Sequence, residues 1–159
     1  GIYEVVWDNS NKKDEQWYIN TNPSYAFANG KVTASYGSAT ARAHADTLFT
    51  AQDESNGLGT EGEVKTRGLK YNLIQTVKKQ AAGILQDTDW YITRKADAGT
   101  AVPSAITNHR AAVRTKCAEM ETSITNASNT AALETLYTYT EQEDGSVTRP
   151  LGELPKLEV

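Results

Sequence analysis

LKYNLIQTVKKQAAGILQ, residues 69–86, is the stretch whose reading decides the fold. Leu69, Leu73, Ile74, Val77, Ala81, Ile84 and Leu85 recur at three- and four-residue steps. A 3.6-residue period gathers them on one stripe and leaves Lys70, Lys78 and Lys79 outside it, which predicts an amphipathic helix over 69–86. The stripe has no aromatic residue and the lysines are few. Such a helix suits a protein core better than a membrane surface.

The helical pattern continues downstream. Asp89 can cap a short helix in which Trp90 is the apolar anchor, and Gly99 can close it. Pro103 fits the first position of a longer helix, where a missing N–H costs nothing. In that helix Ile106, Val113, Cys117, Met120 and Ile124 follow at steps of seven, four, three and four, again one stripe. Asn108, Arg110, Thr115 and Glu119 are expected on the opposite face. Asn126, Ser128 and Asn129 break the pattern, and Thr130 to Leu136 reads as a further short helix. Taken alone, these residues predict helices packed around Trp90, with Arg94, Arg110 and Arg114 as a solvated face.

Upstream, Ile2 to Trp7 and Gln16 to Asn20 are short β-branched and aromatic runs expected to pair as a hairpin across the polar loop Asp8 to Glu15. Asn29-Gly30 is a turn signal, because both residues tolerate positive φ, and a strand at Lys31 to Tyr36 should follow. These runs predict a small antiparallel meander of about three strands, polar on one side. Ser38 can cap a helix over Ala39 to Gln52, where Ala41, Ala45, Leu48 and Phe49 have helical spacing. Asp53 to Gly68, rich in Gly, reads as a loop. It is not a phosphate loop: no Gly-Lys-Ser/Thr follows, and Glu61 and Glu63 would repel a phosphate. The fold class expected is α+β, a small N-terminal antiparallel sheet packed with a bundle of three to four helices. Its parts are residues 1–55 (sheet and first helix), 56–68 (Gly-rich linker), 69–136 (helical region) and 137–159 (extended Pro-containing tail), in one compact unit. In the tail, Leu151, Leu154 and Leu157 are spaced to dock on this domain or on a partner.

The chain has 159 residues and a formal net charge of -4, with basic residues scattered along it. Nucleic-acid binding draws on concentrated Lys and Arg, so no such partner is expected. The single cysteine, Cys117, excludes an internal disulfide and a cysteine-based zinc site. With only His44 and His109 besides, no metal site and no cofactor are expected. No apolar run approaches the length of a membrane helix and no signal-peptide pattern is present, which points to a soluble, cytoplasmic product.

No catalytic set stands out. Cys117 and His109 lie two helical turns apart, about 12 Å at the helical rise, too far for a thiolate pair. Glu119 and Glu121 point to different sides of their helix, so they form no acid–base dyad. The chain is therefore expected not to be an enzyme.

The run Thr88-Asp89-Trp90, then Pro103, then Arg110, Val113 and Arg114 resembles the C-terminal segment of tail-fibre assembly (chaperone-like) proteins of tailed phages, the marine and cyanobacterial phages in particular. That family's pattern is roughly T-D-W, a Pro-containing spacer and W-x-x-Y-R-x-x-L-R. Here Ile106 stands for the second Trp and His109 for the Tyr. The resemblance covers Thr88 to Arg114 and implies a non-enzymatic phage protein acting by contact with another phage protein, such as a tail fibre. It would work in the host cytoplasm during infection. Alternatives are a structural component of the virion, with the small sheet and the Pro-containing tail as attachment points to a repeated neighbour, and an enzyme or host-directed effector without a recognisable motif. The long amphipathic helix would suit a homo-oligomer and a monomer core equally. For a contact function Trp90, Tyr91, Arg94, Arg110 and Arg114 are the candidate partner-binding residues, because aromatics and Arg carry most interface energy.

Overall fold

A computed structural model describes residues 2–157. The chain is α+β and forms two compact units, Gly1–Ala43 and His44–Val159.

The first unit is all β. Strands β1 (Val5–Asp8), β2 (Tyr18–Ile19), β3 (Ser24–Ala28), β4 (Lys31–Ser35) and β5 (Thr40–Ala41) make a three-stranded sheet of order β1-β4-β3 and a separate β2-β5 pair. Asn29 (φ 51°) and Gly30 (φ 74°) form the β3–β4 turn, as the Asn-Gly pair predicts. The expected hairpin between the first two runs does not form, and the sheet is mixed. β1 runs parallel to β4 (Val5 opposite Val32, Trp7 opposite Ala34), whereas β2 pairs antiparallel with β5. The polar loop between β1 and β2 explains the difference. It folds on itself: the Asp14 carbonyl accepts from Trp17 N and Tyr18 N, and the Asn20 side chain bridges Lys13 N and Lys13 O. Trp17 and Tyr18 are thereby buried instead of opposing β1.

The second unit opens with β6 (Thr47–Leu48), helix α1 (Ala51–Ser55) and β7 (Val64–Thr66). The expected helix over Ala39 to Gln52 is absent, and the loop expected over 53–68 is partly regular, with β7 paired to β6. Local chemistry outweighs the periodicity. Thr50 and Asp53 form a capping box, which starts the helix at Ala51. Asp46 accepts from Arg67 Nη1 (2.6 Å) and Gly68 N (2.7 Å), closing the hairpin at its base.

Asp53 also takes Lys65 Nζ at 2.7 Å, and these bonds hold its carboxyl down to about 2. A carboxylate lowered in the fold contributes stability that is complete above its unfolded value near 4 and disappears as the pH falls through about 2. The protection of the amides across residues 49–62, their exchange measured against the intrinsic rate at each pH, is therefore expected to fall between those pH values. Asp53→Asn is expected to show the lower protection already at neutral pH. Identical exchange in the variant and the wild type at neutral pH would refute this.

The helices follow: α2 (Leu69–Gln86), α3 (Asp89–Ala98), α4 (Ser104–Asn126) and α5 (Thr130–Tyr137). Helix α2 has the predicted bounds, and its Val77 and Ala81 are buried. The α4 stripe is buried throughout, from Ile106 to Ile124, with Cys117 on it. Burial raises the Cys117 thiol pKa, so it stays protonated at neutral pH. Gly99 ends α3 in the left-handed region (φ 69°), as expected. Two caps differ by one residue: Thr88, not Asp89, precedes α3, and Pro103 caps α4 from outside. The tail is less extended than predicted. Strands β8 (Thr140–Glu141) and β9 (Val147–Thr148) pair antiparallel. Leu151 donates its N–H to Leu136 O and is 2% exposed, so this leucine docks on its own domain.

Candidate interaction site

Helix α3 spaces Trp90, Tyr91 and Arg94 so that the arginine lies one turn beyond the aromatics. The Trp90 and Tyr91 rings are 3.8 Å apart, inclined at 32°. The Arg94 guanidinium carbon sits 4.7 Å from the Trp90 ring and 5.4 Å from that of Tyr91. Trp90 is 51% exposed. It is therefore not the core anchor of the simpler sequence reading. A short helix on the outside of the unit leaves an indole nothing to pack on except its own neighbours.

No ion pair holds Arg94 among the described residues, and its Nε is buried without a hydrogen-bond partner. A guanidinium stacked on two rings is fixed in orientation while its terminal nitrogens remain available. That geometry suits an incoming carboxylate flanked by apolar groups.

Arg110 is placed differently. It is buried, which corrects the expectation that it lies on the polar face of α4. Its Nη1 donates to Thr88 Oγ1 (2.6 Å) and Leu85 O (2.7 Å), and its Nη2 pairs with Asp89 Oδ1 (2.8 Å). The guanidinium thus clamps the joint between α2 and α3. Position 110 is four residues past Ile106 and three before Val113, so helical spacing puts it on the apolar stripe despite its charge. Arg114 is exposed, with only a long 3.5 Å bond from Nη1 to Arg110 O. The structure therefore brings Trp90, Tyr91 and Arg94 together and separates the roles of Arg110 and Arg114.

An open cleft of about 660 Å³ in this unit is bounded by Lys79, Gly83, Asp87, Met120, Arg149 and Lys156. Part of its polar wall is paired within itself. Arg149 lies 5.2 Å from the Tyr137 and Tyr139 rings and binds Glu153 through Nε (2.8 Å) and Nη2 (3.0 Å), while Tyr139 donates its hydroxyl to Glu153 (2.5 Å). The Glu153 bond raises the Tyr139 pKa. Among the described residues no three His, Cys, Asp or Glu side chains cluster as metal ligands, and no helix is long and apolar enough to cross a membrane.

The first unit holds a surface that sequence reading did not select. The register places Val5, Val32 and Phe27 side by side, and Trp7, Ala34 and Tyr25 beside them, all on one face of the β1-β4-β3 sheet. Phe27 is 60%, Tyr25 62% and Trp7 50% exposed. The alternation Tyr25-x-Phe27 and Val5-x-Trp7 was the available signal, but only the β1–β4 pairing makes the two alternations coincide. No family model, curated protein or solved structure matches the chain.

Proposed function

We propose that this protein acts without catalysis, by protein–protein contact in the assembly of a phage tail or tail fibre. The observation that carries the reading is the Trp90-Tyr91-Arg94 cluster: an exposed indole and a half-buried phenol ring orienting a guanidinium that has no carboxylate partner among the described residues. The cluster falls inside Thr88 to Arg114, the segment that resembles the tail-fibre assembly proteins. Its chemistry fits a partner surface with an acidic group set among apolar side chains, met in the host cytoplasm during infection.

Capture from infected cells tests this. The tagged protein is expected to retain a tail or tail-fibre chain, and the Trp90→Ala, Arg94→Ala double variant to weaken that retention by about 30-fold, the ~2 kcal/mol typical of an interface hot spot. Equal retention by the variant, or capture of host proteins alone, would sink the reading. A second reading, a structural component of the virion, is favoured by the exposed apolar face of the first unit. Mass spectrometry of purified virions separates the two, since an assembly factor leaves the particle and a component stays.

A further inference from the structure

We infer that the apolar face of the β1-β4-β3 sheet is a self-association surface, covered by the same face of a second copy of this chain. The inference stands on the first unit and does not depend on the α3 cluster.

On that face the six register-paired positions are Val5, Val32, Phe27, Trp7, Ala34 and Tyr25. None is an acid, a base or an amide. The Tyr3 ring extends the face, 4.7 Å from that of Phe27, and Tyr36 extends it beside Trp7 at 6.1 Å. A cation stands at the rim, Lys12 Nζ, 5.5 Å from the Tyr36 ring. The opposite face is mixed and mainly polar: it carries Asp8, Ser35, Ser24, Thr33 and Lys31, with the smaller apolar Val6, Ala26 and Ala28 between them. The polarity of the two faces shows which one water is meant to wet.

Two arguments select a second copy as the occupant. The first is charge. An uncharged face gives a dissimilar partner no electrostatic address, and two identical uncharged faces meet without like-charge repulsion. The second is area. Tyr3, Trp7, Tyr25 and Phe27 are each at least half exposed. Side chains of this size then leave roughly 100 Å² each open, and with Val5 the face offers about 500 Å² per copy. A pair buries on the order of 1,000 Å², the lower bound for a specific interface, which predicts a dissociation constant in the micromolar range. Pairing would stack the two sheets about 10 Å apart, the ordinary spacing of a sandwich.

The test is the mass of the full chain in solution, by light scattering, from about 1 to about 100 μM, a range that brackets the expected affinity. The wild type is expected to pass from the 17.3 kDa chain to twice that mass. Phe27→Lys and, separately, Tyr25→Lys are expected to stay at the monomer mass throughout, and Thr33→Lys on the opposite face to pair like the wild type. Circular dichroism confirms that each variant is folded. Should a lysine variant fail to fold, the wild type alone decides, because the indole N–H resonance of Trp7 must shift on dilution along with the mass. A wild type that stays monomeric across the range overturns the inference and leaves the face to another protein or to further chain of the same polypeptide. Pairing that survives both lysine variants, or that leaves Trp7 unmoved, overturns it as well.

Discussion

Gly68→Ala is expected to destabilise the helical unit by about 3 kcal/mol, lowering its melting temperature by roughly 10 °C. The reason is space rather than backbone conformation, since Gly68 has φ −83°, open to any residue. An added Cβ would overlap the carbonyl group of Ala45 and stand 2.9 Å from Asp46 N. These are backbone atoms of a segment held in place: Asp46 receives Gly68 N and Arg67, and His44 O accepts Lys70 N at 3.0 Å. The chain cannot yield without losing those bonds. Gly83 is the internal control. It lies inside α2 with nothing within 4 Å of its would-be Cβ, so the same substitution there is expected to stabilise by about 0.5 to 1 kcal/mol through helix propensity and a less flexible unfolded chain. Urea unfolding followed by the helical circular dichroism signal reads both. A Gly68→Ala variant within 1 kcal/mol of the wild type would mean that the hairpin base gives way freely.

The second large effect is expected at Arg110. Arg110→Ala removes three hydrogen bonds at the α2–α3 joint and leaves the volume of a buried side chain empty, for a loss of about 3 kcal/mol. Lysine does not restore it, because one ammonium cannot span Leu85 O, Thr88 Oγ1 and Asp89 at once in the planar geometry the guanidinium supplies. Arg114→Ala, four residues on and exposed, is expected to change stability by less than about 0.5 kcal/mol. The same unfolding series decides the role of Arg110. If Arg110→Ala keeps full stability yet loses a captured partner, this arginine is a contact residue after all.

The helical half of the fold was legible because its elements answer to one local rule each. The α2 stripe, the Gly99 stop and the α4 stripe from Ile106 to Ile124 depend only on period and cap chemistry, and all three lie where spacing puts them. The β half was not legible, for a physical reason. Strand pairing is a relation between distant segments, and nothing in Val5 to Asp8 states that its partner is β4 in parallel and not the next aromatic run. Thr47 and Leu48 show the opposite failure: a helical-looking spacing yielded to the Thr50–Asp53 cap and to pairing with β7. For the candidate site, the clustering of Trp90, Tyr91 and Arg94 followed from their positions on one helix. The exposure of Trp90 did not, because how much of a short helix is covered depends on what the rest of the chain brings to it. Arg110 was misplaced through its charge, although its spacing from Ile106 and Val113 already marked it as inward.

The parallel pairing of β1 with β4 also orders events during synthesis. β3 and β4 are joined by a two-residue turn and can close on each other as soon as they leave the ribosome, within microseconds. β1 emerges first, yet it has no partner until β4 is complete, and it then closes a long loop against a nonlocal edge, the slower kind of step. The strand made earliest is thus the last to be placed. In that interval the free edge of β4 is open to the β1 of a neighbouring nascent chain too, but its own tethered β1 is present at an effective concentration of about a millimolar, so exchange of strands between molecules requires chains crowded to a comparable concentration.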